Sequence, residues 1–357
     1  MLVPLAMATV DTYGGKAGGL GALIRAGLPV PDGVVVPDGP IADDLGRWLE
    51  RMGDALVAVR SSAANEDTAL TSAAGQHDSF LGVQGLAAVL DAVRACRASV
   101  WSPRAVAYRN GSEAPSMAVI VQRQVDSDVS GVMFTASGAT TIEASWGLGP
   151  SVVEGRVTPD RYEVANGTVI RTIADKPTAL DSRLRVHQVP TDRRRAATLS
   201  DATAVQLADL GQQAATVLGA PQDIEWAIAN HTPWLLQSRP ITAQLPVPAP
   251  APATLLRGTP GSHGTATGIA RIVRGPADFP HVRPGDILIC PFTDPAWTPL
   301  LAIAAGVVTE TGGILSHAAI VARERHIPAV LGVPHATTKI PAGKPVTING
   351  TTGAIDL

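Results

Sequence analysis

Short apolar runs that end in polar tips or glycine turns recur through the first two thirds of this chain. Val34–Val36, Val57–Val59, Val119–Gln124 (VIVQRQ), Ser130–Thr135 (SGVMFT) and Ile142–Gly149 (IEASWGLG) all have this form. Runs of this length, bounded by turn residues, predict β-strands, here strands whose polar ends line a cleft. Asp223–Ile228 (DIEWAI) and Leu235–Pro240 (LLQSRP) flank a break at Asn230–Pro233 and predict a hairpin. Side chains alternate along a strand, so Asp223 and Glu225 share one face, as do Gln237 and Arg239. Ahead of the first strand, Gly14–Gly33 (GGKAGGLGALIRAGLPVPDG) predicts a flexible glycine and lysine loop running into a short helix.

The last hundred residues have a different rhythm. Gly258–Gly268 and Arg271–Val273 start a short β region, Asp286–Cys290 (DILIC) is a further strand, and Pro299–Val308 leads through an alanine-rich helix to another. A glycine-rich turn at Thr311–Ser316 then opens an apolar helix at His317, and a final strand pair is expected near Val346–Ile348 and Ile355. Between the two regions, Leu245–Thr254 (LPVPAPAPAT) alternates proline with small residues. Polyproline geometry at about 3.1 Å per residue gives this spacer a reach of about 30 Å. A travelling domain needs such a spacer, and a passive linker has the same composition. The expected organisation is a mixed α/β chain with domains at 1–244 and 255–357, joined by 245–254.

Composition narrows the class. With 357 residues, 45% of them hydrophobic, each unit can bury a core. A net charge of −3 and a pI near 6.2 argue against a nucleic-acid partner, and Asp192–Arg195 (DRRR) reads as a solvated helix face. Cys96 and Cys290 stand far apart, which supports neither a disulfide framework nor a thiolate metal site and fits a reducing cytoplasm. The N-terminal MLVPLAM lacks a basic n-region and meets Asp11 too soon for a signal segment. No run approaches the roughly 20 apolar residues of a membrane span. The chain is expected to be soluble and cytoplasmic, with neither membrane nor nucleic acid as partner.

Charged and nucleophilic side chains sit at the ends of these elements. His317 stands on a turn where Gly312 and Gly313 permit tight backbone, Ser316 can cap the helix, and free N–H groups at the helix N-terminus would welcome an anion. Taken alone, it reads first as a satisfied core histidine. Arg60 follows the VAV run, and the small-residue stretch Ser72–Gly75 leads to Gln76, Asp78 and Ser79. A guanidinium and close-approaching backbone N–H groups suit phosphate oxygens, although an isolated arginine fits a surface ion pair as well. No GxxxxGK[ST] loop is present, so Lys16 alone is weak support for phosphate binding. Adjacent strands could converge the oxygens of Asp223, Glu225 and Gln237, the ligand type that Mg²⁺ on nucleotide phosphates requires. A solvated hairpin face would alternate in the same way.

The segments together resemble one family, the phosphoenolpyruvate-utilising dikinases, which includes pyruvate phosphate dikinase, pyruvate water dikinase and rifampin phosphotransferase. Thr311–Val330 (TGGILSHAAIVARERHIPAV) is similar to the GGxxSHAA segment of the family's swivelling domain, and places His317 at the phosphohistidine. GGKAGGL, VRSSAANED with AGQHDSFL, and DIEWA with LLQSRP resemble the family's ATP-grasp blocks. The resemblance implies an ATP-grasp domain joined to a β/β/α swivelling domain. It implies Lys16 near the nucleotide phosphates, Arg60 on the transferred phosphate, and Gly75, Gln76 and Ser79 in a loop over ATP. Gln122 falls near adenine or ribose, Glu143 in the active-site cleft, Arg239 on phosphate, and Glu225 and Gln237 on Mg²⁺. His77 falls where the family varies. Phe292–Trp297 (FTDPAW) is either a simple loop or a contact to the transferring phosphate. Leu315 replaces the threonine that plant-type dikinases use for regulation, which excludes control by phosphorylation there.

The implied activity is transfer of a phosphoryl group from Mg-ATP to His317 and onward to an acceptor, with AMP and phosphate as products. The family's acceptor domain, a C-terminal barrel or a helical insert, is expected to be missing, since about forty residues follow His317 and only the spacer separates the domains. The acceptor is then a small molecule, a separate acceptor-binding protein served by a phosphocarrier, or none if the chain is a nucleotide-binding regulator. An enclosed polar pocket would favour the first and an exposed apolar patch around His317 the second.

Overall fold

Strand runs with apolar side chains on both faces must be covered on both sides. Gly33–Val36 and Val57–Ala63 are such runs and are buried throughout. In the computed structural model, which describes residues 1–63, 79–102, 105–106, 116–241, 245 and 256–357, they belong to a five-stranded antiparallel sheet. Its spatial order is Val3–Pro4, Gly33–Val36, Met117–Arg123, Val57–Ala63, Ser79–Val83. Helices Ala42–Arg51 and Leu86–Ala98 cover one face through Leu45, Trp48, Leu49, Val89 and Val93. Helix Val10–Arg25 covers the other through Ala17 and Leu20.

A second antiparallel sheet runs in the order Thr232–Pro240, Gln222–Ala229, Val129–Ala136, Ala139–Trp146, Asp160–Ala165, Thr168–Thr172. Helix Asp201–Leu218 packs on it through Ala204, Leu207 and Ala208, against Met133, Ile142, Tyr162 and Trp226. Leu23 joins this same core, so helix Val10–Arg25 bridges the two sheets. The expected hairpin turns on Asn230 and His231, both with positive φ (49° and 63°), and the strand resumes at Thr232. Pro233 is tolerated there because this strand lies at the sheet edge.

Residues 256–356 form an eight-stranded mixed sheet whose middle strands, Thr265–Ile272, Ile287–Cys290, Gly306–Thr309 and Ala329–Leu331, are parallel. Parallel neighbours need crossovers, and helix His317–Glu324 is the crossover between the last two. The alanine-rich helix expected within Pro299–Val308 shrinks to the single turn Thr298–Leu301 before the chain enters the strand at Gly306. Residues 246–254 of the proline spacer, residue 255, and Gly75, Gln76 and His77 lie outside the described residues.

One further expectation is revised and one holds. The glycine and lysine stretch is a buried helix rather than a loop: only Gly14, at φ 82°, leaves helical geometry, and Lys16 sits in the first full turn beyond it. Glycine serves close packing here, since a Cβ on Gly21 would come within 2.6 Å of the Ala8 carbonyl oxygen. The Asp192–Arg195 stretch is the solvated helix face it reads as: Thr191–Arg194 is a one-turn helix without buried residues, and Arg193 lies 4.4 Å over the Trp146 ring. Among the described residues, no helix is long and apolar enough to cross a membrane.

The second sheet also encloses a polar centre. Asp160, fully buried, accepts hydrogen bonds from Lys176 Nζ (2.5 Å), from the Ala174 and Thr198 N–H groups (2.9 Å each) and from Thr198 Oγ1 (2.9 Å). Removing one partner of such a pair leaves a buried charge without compensation. Lys176→Met should therefore lower unfolding stability by about 3–5 kcal/mol, read from denaturant unfolding; a loss below about 1 kcal/mol would contradict this account.

Candidate active site

His317 begins the helix His317–Glu324, at the end of a turn that leaves the parallel strand Gly306–Thr309. Gly312 makes that turn possible with φ 104°. Ser316 does not cap the helix with its side chain as expected: its hydroxyl donates to the Gly313 carbonyl at 2.8 Å. The imidazole is 4% exposed. Nδ1 lies 2.8 Å from Thr293 Oγ1 and Nε2 lies 3.4 Å from Thr298 Oγ1. The Phe292–Trp297 loop thus reaches the histidine itself.

His317 opens onto a cavity of about 410 Å³ between the two antiparallel sheets and the eight-stranded one. Lys16, Arg60, Ser79, Gln122, Glu225, Gln237 and Arg239 line the same cavity. Strand register explains their convergence. Ser79 pairs with Arg60 across neighbouring strands of the first sheet, and Glu225 pairs with Gln237 in the second. Arg60 Nη1 spans the gap, donating to Gln237 Oε1 at 3.1 Å and to Glu225 Oε2 at 3.4 Å. Its Nε is buried with no hydrogen-bond partner among the described residues, so donor capacity is left for a ligand. Gln122 donates through Nε2 to the Pro31 carbonyl at 3.2 Å.

Two expected ligands are placed differently. Asp223 does not line the cavity: it pairs with Arg239, whose Nε lies 2.7 Å from its Oδ2. Burial pushes the Asp223 carboxyl above its ordinary value, while Arg239 pulls the other way. Asp223 therefore orients Arg239. Glu143 is also withdrawn from the cavity. Its carboxylate accepts the N–H groups of Ile314 and Leu315 at 2.8 and 3.0 Å. Burial drives its carboxyl upward against those two bonds.

The donor set still fits a hard cation. Glu225 Oε2 and Gln237 Oε1 stand side by side on paired strands and converge on one guanidinium nitrogen. Two such oxygens, with phosphate and water completing the shell, match Mg²⁺. Among the described residues no cluster of three His, Cys, Asp or Glu side chains could hold a metal by itself.

Two neighbours escaped sequence reasoning, and a third lay in the flagged Phe292–Trp297 segment without being singled out. Thr293 reaches Nδ1 of His317. Arg156 lines the cavity, pairs with Glu154 and lies 5.1 Å over the Phe292 ring. Arg323 is buried beneath the His317 turn and donates to the Ile314 and Gly261 carbonyls at 2.8 and 2.9 Å. Burial pushes its guanidinium down to about 10. Arg323 follows the apolar helical run Ala318–Ala322, which was the available signal, but nothing local says that it turns inward.

Comparison with known proteins gives two family matches. Residues 39–252 match the pyruvate phosphate dikinase AMP/ATP-binding domain, and residues 282–353 match the mobile domain of PEP-utilising enzymes. A probable phosphoenolpyruvate synthase of Methanothermobacter thermautotrophicus is 34% identical over 97% of this chain and 61% of its own length. The phosphoenolpyruvate synthases of Pyrococcus furiosus and Escherichia coli are 37% and 35% identical, over 84% and 85% of this chain and 40% and 43% of theirs. The chain thus spans between two fifths and three fifths of these relatives.

The Asp223–Arg239 pair gives a direct test. Arg239→Gln should lower stability by about 3–5 kcal/mol by stranding the carboxylate, and adding Asp223→Asn should restore much of that loss. Additive losses in denaturant unfolding would show that the two side chains do not act as a pair.

Proposed function

Because the chain belongs to the phosphoenolpyruvate-utilising dikinase family, we propose that it is an ATP-dependent phosphotransferase in which His317 carries the phosphoryl group. Residues 1–244 bind the nucleotide in an ATP-grasp arrangement, 255–357 form the mobile unit, and 245–254 join them. The observation that carries this reading is the opening of His317 onto the cavity lined by Lys16, Arg60, Gln237 and Arg239.

Lys16, Arg60 and Arg239 hold the phosphates and spread the negative charge that develops on the transferred group. Glu225 and Gln237 would hold Mg²⁺, which would supply positive charge to offset that of the phosphates. Gln122 faces the adenine or ribose end, while Gly75, Gln76 and Ser79 cover the nucleotide. Thr293 holds Nδ1 of His317, and Nε2, 3.4 Å from Thr298 Oγ1, is the attacking nitrogen. An imidazole is nucleophilic in its neutral form, and the resulting phosphohistidine is reactive enough to pass its group onward. The β-phosphoryl is the group delivered, AMP leaves, and the γ-phosphate passes to water or phosphate. The acceptor that suits a buried histidine facing a cavity lined by several charged side chains is a small molecule. A separate acceptor-binding protein would need the mobile unit to leave this orientation.

Incubation with ATP and Mg²⁺ alone tests the proposal, with nucleotides followed by chromatography and the intact protein by mass spectrometry. The expected result is AMP together with an acid-labile adduct, both lost in His317→Ala. ADP as the sole product, or an adduct that survives His317→Ala, would sink it.

A further inference from the structure

The turn that presents His317 is gripped from below by the opposite half of the molecule. Glu143 lies in the strand Ala139–Trp146 and is 2% exposed. Its two carboxylate oxygens divide the work: Oε1 accepts the Ile314 N–H at 2.8 Å and Oε2 the Leu315 N–H at 3.0 Å. Beside them, Thr311 Oγ1 donates to the Gly155 carbonyl at 2.6 Å. The side chains of Ile314 and Leu315 share one apolar cluster with Val132, Phe134 and Val152. Glu143 does not line the nucleotide cavity, although His317 does.

We propose that Glu143 is a positioning residue, a latch that recognises the backbone of the 313–315 turn and holds His317 toward the nucleotide cavity. The inference rests on His317 being the phosphoryl carrier, but the latch is a property of geometry alone. Main-chain N–H groups point to a common acceptor only while the turn is folded, so Glu143 reads the conformation of the turn as well as its place. Two donors need two acceptors. A glutamine offers one, and its amide N–H₂ would face the other donor. Gly313 completes the device, because a Cβ there would run into the Glu143 carboxylate. The paired glycines then have separate tasks: Gly312 turns the chain and Gly313 admits the carboxylate.

Three full-length variants test the latch: Glu143→Gln, which keeps the shape, Glu143→Ala, and Gly313→Ala, which keeps the carboxylate but denies it access. Each is assayed for amide hydrogen exchange across residues 311–316, for ATP affinity and for the single-turnover rate of His317 phosphorylation. Exchange at Ile314 and Leu315 should rise about 10- to 100-fold, the cost of leaving two buried donors without partners. The phosphorylation rate should fall by at least about tenfold while ATP affinity holds. Exchange and rate unchanged in Glu143→Gln would overturn the proposal. So would an ATP affinity that falls in step with the rate, since Glu143 would then be a nucleotide contact. Should the unaltered protein form no phosphohistidine, the functional reading fails, and the exchange measurement alone decides the latch.

Discussion

One guanidinium ties the two antiparallel sheets together at the place where a ligand can enter. Arg60 leaves the first sheet and meets Glu225 and Gln237 on the second. A buried guanidinium with nothing to donate to is costly, so its partners must lie across the gap, and the sheets are held at a spacing that leaves a cavity between them. Lys16 arrives from a third direction because its helix is pinned to both sheets. Ser62 Oγ accepts the Ala17 N–H at 3.0 Å and donates to the Tyr13 carbonyl at 2.5 Å, fixing the start of that helix. Cation placement at this site is therefore a consequence of packing.

The contact between residues 256–357 and the rest has another character. Each half has a broad apolar core of its own, whereas the apolar cluster that joins them around Ile314 and Leu315 is small. Hydrogen bonds to main-chain groups supply its specificity. Interfaces of this polar kind suit parts that come together and separate. Buried charges on either side of the turn, Glu143 and Arg323, contribute orientation more than net stability, because taking them out of water offsets much of what their contacts return.

The apolar runs at 34–36, 57–59, 119–124, 130–135 and 142–149 each lie on a strand, the third ending at Arg123 and the last at Trp146, and the hairpin at 223–240 formed where its break predicted. These were legible because strand alternation and turn chemistry are local. Lys16, Arg60, Gln237, Arg239 and His317 meet at one cavity, and their segments were recognisable as blocks. Gly14–Gly33 misled because glycine composition does not say whether the missing side chain allows a turn or a close helix contact. The alanine-rich stretch misled because helix propensity cannot hold against a strand that the parallel sheet requires next.

Sequence by itself determined the types of element, their order and the chemistry available at their ends, since period, turn residues and side-chain identity are written locally. Tertiary structure decided how that chemistry was assigned. Asp223 and Glu225 share a strand face and differ by one pleat, yet Asp223 faces Arg239 and Glu225 faces Gln237 and Arg60. Glu143 looked like a cleft carboxylate and instead holds a distant turn. A carboxylate's role depends on which donor reaches it, and that donor stands 16 residues away for Asp223 and 171 for Glu143.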